Sequence, residues 1–129
     1  MEIYRLKNGD SLIDELKKFV SRKDSGIIVG LGALENLTVK LYDLKLKKYQ
    51  EKFIEGPLEI GSFTAIVAKD VQGNMDIHPH IVVCNREFRS FCGHVEKAIV
   101  GATFEFFYCK SNNAASRYFD KNIGLNLIK

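Results

Sequence analysis

One stretch of this chain carries helical periodicity, and it is short. Leu12, Ile13, Leu16, Phe19 and Val20 recur three and four residues apart behind a Ser11-Leu12-Ile13-Asp14 capping pattern, while Asp14, Glu15, Lys17 and Lys18 fall on the opposite side. A helix with one apolar face must bury it against something else, and the remaining patterns all have period two. Glu2 to Lys7 forms a first short strand, closed by Asn8-Gly9-Asp10 turn chemistry. Ile27-Ile28-Val29 runs into Gly30-Leu31-Gly32-Ala33-Leu34, and Leu37 to Tyr42 follows as another strand. Lys45 to Glu55 reads as a charged hairpin, Glu55-Gly56-Pro57 as a turn, and Leu58 to Ala68 as a long strand. Then come Ile81-Val82-Val83, Phe88 to Cys92, Ala98 to Cys109 bent at Gly101, and Leu125 to Ile128, with a short turn of helix expected at Ser111-Asn112-Asn113. The sum is an α+β fold: an antiparallel sheet of seven to eight strands with one main flanking helix, in a single domain over residues 1–129.

Composition narrows the function classes. No apolar run approaches the ~18 residues that span a bilayer, and Met1-Glu2-Ile3-Tyr4-Arg5 does not open a secretory signal, so no membrane role is expected. The three cysteines, Cys84, Cys92 and Cys109, cannot all pair within one chain and show no C-x-x-C spacing, which points to reduced thiols in the cytoplasm rather than a disulfide or zinc-thiolate framework. The glycines of Gly30-Leu31-Gly32 lack both the G-x-G-x-x-G spacing and a following helix; they read as a bulge or a close backbone approach. A net charge of +3 permits nucleic-acid contact without arguing for it. Lys45, Lys47, Lys48 and Lys52 are the candidates for phosphate contact, set against the more ordinary role of lysines in blocking aggregation at a sheet edge.

All three histidines, His78, His80 and His94, lie in one short span. On a strand, residues i and i+2 share a face and sit roughly 6–7 Å apart along the chain, so His78 and His80 can converge on one ion. The polar turn Asn85-Arg86-Glu87 folds the next run back as a hairpin and returns His94 toward the pair. Three neutral imidazoles with open positions describe a zinc site, with other divalent transition metals compatible by ligand type. Asp76 is a candidate fourth ligand or supporting partner. Pro79 places this segment at an edge, a bulge or a strand start. Glu59, a lone carboxylate in an apolar surround, is the candidate acid or base, and metal affinity is expected to fall as pH drops through the free-histidine value of about 6.5.

Several stretches in order resemble the plants-and-prokaryotes conserved domain family: Gly30-Leu31-Gly32-Ala33-Leu34, Glu55-Gly56-Pro57-Leu58-Glu59-Ile60, His78-Pro79-His80, Gly93-His94 and Val100-Gly101-Ala102-Thr103-Phe104-Glu105, with Gly124-Leu125 closing the set. The resemblance spans nearly the whole chain. It implies a trimer of antiparallel sheets with flanking helices, related in architecture to acetolactate decarboxylase, a metal enzyme with a three-histidine zinc site. In plants the domain accompanies an AT-hook in nuclear DNA-binding proteins; this sequence resembles the stand-alone kind and lacks the Arg-Gly-Arg-Pro hook. It departs from the family at Cys92, where a glycine is usual, at Leu58, usually phenylalanine, and at Gly61, usually bulkier. Two functions follow as expectations: a trimeric DNA-associated protein with a three-histidine metal site, whose DNA binding is weak and not sequence-specific, or a metal-dependent lyase acting on a small oxygenated substrate. The aromatic run Phe104 to Tyr108 is expected to supply the apolar surface for trimer assembly.

Overall fold

The computed structural model describes residues 1–129. In chain order the elements are β1 (Ile3–Lys7), α1 (Leu12–Val20), β2 (Gly26–Asp43), β3 (Lys48–Lys69), β4 (Met75–Cys84), β5 (Ser90–Lys110), β6 (Arg117–Asp120) and β7 (Leu125–Ile128). β1 to β5 form one antiparallel sheet in the order β1-β5-β2-β3-β4, and β6 and β7 form a separate two-stranded hairpin. β4 also pairs with the first residues of β5, so the pairings β2–β3, β3–β4, β4–β5 and β5–β2 close into a ring.

Closure is achieved by bending a few very long strands. Typical strands run about five to six residues, whereas β3 has 22 and β5 has 21. Bulges allow that length by letting the strands turn without losing their partners. The register of β2 shifts between Gly30 and Gly32 and again between Leu34 and Asn36, and that of β3 shifts between Ile60 and Ser62. The glycine-rich segment is therefore a bulge, as its spacing implies. The two runs expected as separate strands on either side of it are one strand, because the bulge interrupts the register and not the ladder. The same holds for Phe91-Cys92 and Ala98 to Cys109, joined in β5, while Phe88 lies in the β4–β5 turn at φ 61°. Glu55-Gly56-Pro57 is not a turn: all three residues continue β3, through a cis Gly56–Pro57 peptide. No helical turn forms at Ser111–Asn113, and β6 is an additional strand.

The helix places Leu12, Leu16 and Val20 fully inside, in one apolar cluster with sheet residues such as Ile28, Val67, Val95 and Phe104. Each such side chain contributes roughly 1.5–3 kcal/mol of burial. Ser11 occupies the N-cap position but makes no side-chain capping bond; its backbone bridges to Ile99 instead. Phe19, half-exposed, packs on Tyr4 at 4.7 Å and on Phe106 at 5.1 Å, and Phe63 packs edge-on to Phe104 at 5.1 Å. Phe104 and Phe106 are thus covered within this chain, at 0% and 3% exposed. Of the aromatic run, only Phe107 and Tyr108 stay partly exposed, so Phe104 and Phe106 do not supply the free surface expected of them.

Candidate metal centre

β4 and β5 bring the histidines together by simple register. His80 pairs across the hairpin with His94, and His94 also pairs on its other side with Lys40 of β2. Gly93 makes this three-strand meeting feasible: a Cβ there would lie 2.8 Å from the Lys40 carbonyl oxygen and 3.3 Å from Val39. Of the two family glycines before the third histidine, the one retained is the one the packing requires, while Cys92 is exposed. β5 joins β4 only from His80 onward, so Pro79 sits where that edge of β4 is open and its missing N–H leaves no gap in a ladder.

One ligand atom from each of the three imidazoles lies within 4.8 Å of the others, and the Nε2 atoms of His78 and His80 are 3.1 Å apart. Ligand nitrogens about 2.0–2.1 Å from a tetrahedral ion are separated by about 3.4 Å, so the pair already has the spacing that a shared ion demands. His94 Nδ1 is buried without a hydrogen-bond partner. An unsatisfied buried nitrogen is costly unless something coordinates it. Burial weakens the competition of protons for two of the three rings. Burial, followed by the neighbouring His94, Arg117 and His80, lowers the His78 pKa to about 4. Burial, with His80 and Lys40, lowers His94 as well, against the opposing pull of Glu96 and Asp76. The donor set fits a divalent transition ion, and exposed His80 leaves one side open to solvent.

Two clefts meet at the histidines. One, of about 460 Å³, is walled by Thr64, Tyr42, Cys92 and Val82; the other, of about 750 Å³, by Asp76, Glu96, Arg117 and Phe119, and His78, His94, Tyr49 and Leu125 line both. Asp76 does not join the three-imidazole group. Its Oδ1 accepts the Ile77 N–H at 2.8 Å and faces Lys17 Nζ at 3.9 Å, in the wall of the larger cleft. Glu59 is exposed, pairs with Cys84 at the far end of β4, and lines neither cleft. Among the basic candidates, Lys47 Nζ donates to the Lys121 carbonyl at 3.4 Å and Lys52 lies over the Phe91 ring at 5.3 Å, while Lys45 and Lys48 are exposed at the β2–β3 tip. β4 pairs with β3 only from Glu59 onward, so Lys48 and Lys52 do lie on an open edge.

Three features of the site escaped the sequence reading. Lys40 and Glu96 form a 2.7 Å ion pair beside His94; Glu96 lies two residues from that histidine, and this same-face spacing was the available signal. Tyr49 lies tilted beside His94, 5.9 Å between ring centroids. Arg117, from the unforeseen β6, reaches the same cleft, and nothing local in the sequence marks it.

Several solved structures share this chain's architecture over nearly its whole length. A protein from Bacteroides thetaiotaomicron, described as a candidate DNA-binding protein, is 27% identical with a TM-score of 0.91, over 98% of this chain and 90% of that one. A metal-containing protein from Archaeoglobus fulgidus is 28% identical with a TM-score of 0.89, over 99% and 91%. A plant- and prokaryote-conserved protein from Pyrococcus horikoshii is 25% identical with a TM-score of 0.89, over 99% and 90%. α-Acetolactate decarboxylase from Bacillus subtilis shares the fold at a TM-score of 0.58 and 10% identity, over 95% of this chain and 57% of that one. No curated protein sequence matches the chain. The sequence pattern of the Plants and Prokaryotes Conserved (PCC) domain matches residues 2–111, and with the ring of strands and its order of motifs the chain belongs to that family.

Proposed function

We propose that the protein is a metal-centre protein in which His78, His80 and His94 hold one divalent ion, zinc first among the candidates, with positions left open to a small ligand. The observation that carries this reading is the convergence of three half-buried or open imidazoles within 4.8 Å at the junction of two clefts. The description of the Archaeoglobus fulgidus relative as metal-containing supports it. A bound ion would act as a Lewis acid on a ligand oxygen or lower the pKa of a bound water. The chain's own part is to disfavour protonation of His78 and His94 by burial, orient the imidazoles from paired strands, and hold Thr64 and Tyr49 at the cleft walls. A lyase-like activity on a small oxygenated substrate is compatible with this centre, but Glu59 does not reach it within one chain.

The test is elemental analysis of untagged protein after zinc is supplied near neutral pH. The parent should retain about one ion per chain and His80→Ala almost none, with both proteins equally folded in chelator because His80 lies at the surface. Equal metal in the two proteins, or none in either, would reject the centre.

DNA association is the second reading, supported by relatives described as candidate DNA-binding proteins and by Lys45 and Lys48 at the hairpin tip. We place the protein in the cytoplasm on the strength of its three unpaired thiols, and we read it as a trimer on its family membership. No helix is long and apolar enough to cross a membrane.

A further inference from the structure

The larger cleft beside the histidines has a charge pattern that the metal reading leaves unexplained. Its carboxylates are each already engaged. Glu96 pairs with Lys40 at 2.7 Å, Asp76 faces Lys17 at 3.9 Å, and Asp70 Oδ1 accepts the N–H groups of Gln72 and Asn74, both at 2.9 Å. Of the two lysine and arginine cations lining this cleft, Lys17 has an ionic partner and Arg117 has none. Its one protein hydrogen bond runs from Nη1 to the Asn126 carbonyl at 3.1 Å, across its own hairpin. A guanidinium carries five donors in a flat fork, and only one hydrogen bond within the chain engages this one, which lines the cleft.

The placement is firm. The C-terminal hairpin is fastened to the ring of strands: Tyr42 O–H donates to the Ile123 carbonyl at 2.6 Å, and the Lys69 N–H donates to the Ala115 carbonyl at 3.0 Å. The hairpin lies beyond the stretch matched by the family pattern, so the domain pattern does not account for Arg117. Phe119, Leu125, Leu127 and Ile13 also line the cleft and give it apolar surface.

We propose that Arg117 is the anion-recognition residue of this cleft, and that the ligand it selects is a small monocarboxylate with an apolar body, its carboxylate on the guanidinium and its body against the β6–β7 wall. A monoanion matches the single unpaired positive charge, and with Asp76 and Glu96 nearby a dianion such as phosphate is disfavoured. The proposal rests on the three-histidine centre for what the rest of the ligand meets, but its anion arm stands on Arg117 alone.

The experiment titrates 3-methylbutanoate, its neutral amide, and inorganic phosphate into the untagged parent, Arg117→Gln and Arg117→Lys, each with zinc supplied and again in chelator, with binding followed by NMR and zinc by elemental analysis. Arg117→Gln should weaken 3-methylbutanoate by about 10- to 100-fold, the range for losing a charge-assisted fork. Arg117→Lys should recover part of that loss, and amide binding and zinc content should be the same in all three proteins. Equal 3-methylbutanoate binding by parent and Arg117→Gln, no binding by the parent in either state, or phosphate binding more tightly than the carboxylate would overturn the proposal. Absence of zinc from all three proteins would sink the metal centre instead, while an Arg117-dependent loss of carboxylate binding in chelator would still uphold the anion site.

Discussion

His78 is the residue on which pH acts most directly. In the unfolded chain an imidazole titrates near ~6.5, whereas in the fold burial, followed by the neighbouring His94, Arg117 and His80, lowers it to about 4. Between those values the unfolded state binds the extra proton, so the metal-free fold loses stability as pH falls from about 6.5 toward 4 and keeps it above that window. His94 is lowered in the same sense. In chelator, the melting temperature of the parent should therefore drop across this interval more steeply than that of His78→Asn, which has no proton to gain; parallel profiles would contradict it. The same displacement bears on the expectation that metal affinity falls as pH drops through the free-histidine value. With protons competing less well at His78 and His94, zinc retention should extend below pH ~6.5, and a half-loading point at or above that value would count against the burial argument.

Among the elements, the β2–β5 contact at Gly93 and the helix α1 have separable roles. A methyl group at Gly93 would meet the Lys40 carbonyl at 2.8 Å, and that carbonyl belongs to the strand that flanks His94. Gly93→Ala should cost roughly 1–3 kcal/mol, as overpacking does, and should also weaken zinc retention, since the backbone that must shift carries a ligand. Leu16 is fully buried on the inner face of α1 and is remote in sequence from the histidines. Leu16→Ala should cost about 2–5 kcal/mol in urea unfolding while leaving zinc content in the folded protein unchanged. A Leu16 variant that lost metal as readily as the Gly93 variant would show that helix docking and site geometry are not separable.

For the whole molecule, the question is what covers its exposed apolar side chains. Leu31, Leu41 and Phe53 are 59%, 59% and 63% exposed, and the first half of β3 has a partner strand on one side only. These residues, rather than the buried Phe104 and Phe106, are the surface available to a trimer. Light scattering at micromolar concentration should give about three times the chain mass of 14.6 kDa; a mass equal to one chain would remove the trimer reading. Net charge is +3, and two of the four candidate lysines are engaged within the chain. DNA binding should accordingly be weak, indifferent to sequence and lost with added salt. A nanomolar complex at physiological salt that distinguished between duplexes would show that a specific reading surface exists.

Local pattern was enough for the helix, for the dominance of antiparallel strands and for the histidine hairpin, because each depends on period or on a turn a few residues long. Leu12 to Val20 can bury one face only as a helix, and His78, His80 and His94 can share a face only if the strand alternates and the turn at Asn85 returns it. Where strands merge was not legible. Bulges at Gly30/Gly32 and Leu34/Asn36 keep one ladder running through segments that read as separate, and partners distant in sequence hold them together. Cover for Phe104 and Phe106 was likewise hidden, since it comes from Phe63 for the first and from Tyr4 and Phe19 for the second, all far away along the chain. Arg117 was the least legible of all. Its charge acquires meaning only when a hairpin from the end of the chain is fastened beside histidines at its middle, in a cleft whose lysine is already paired, and only the tertiary structure brings those groups within reach of one another.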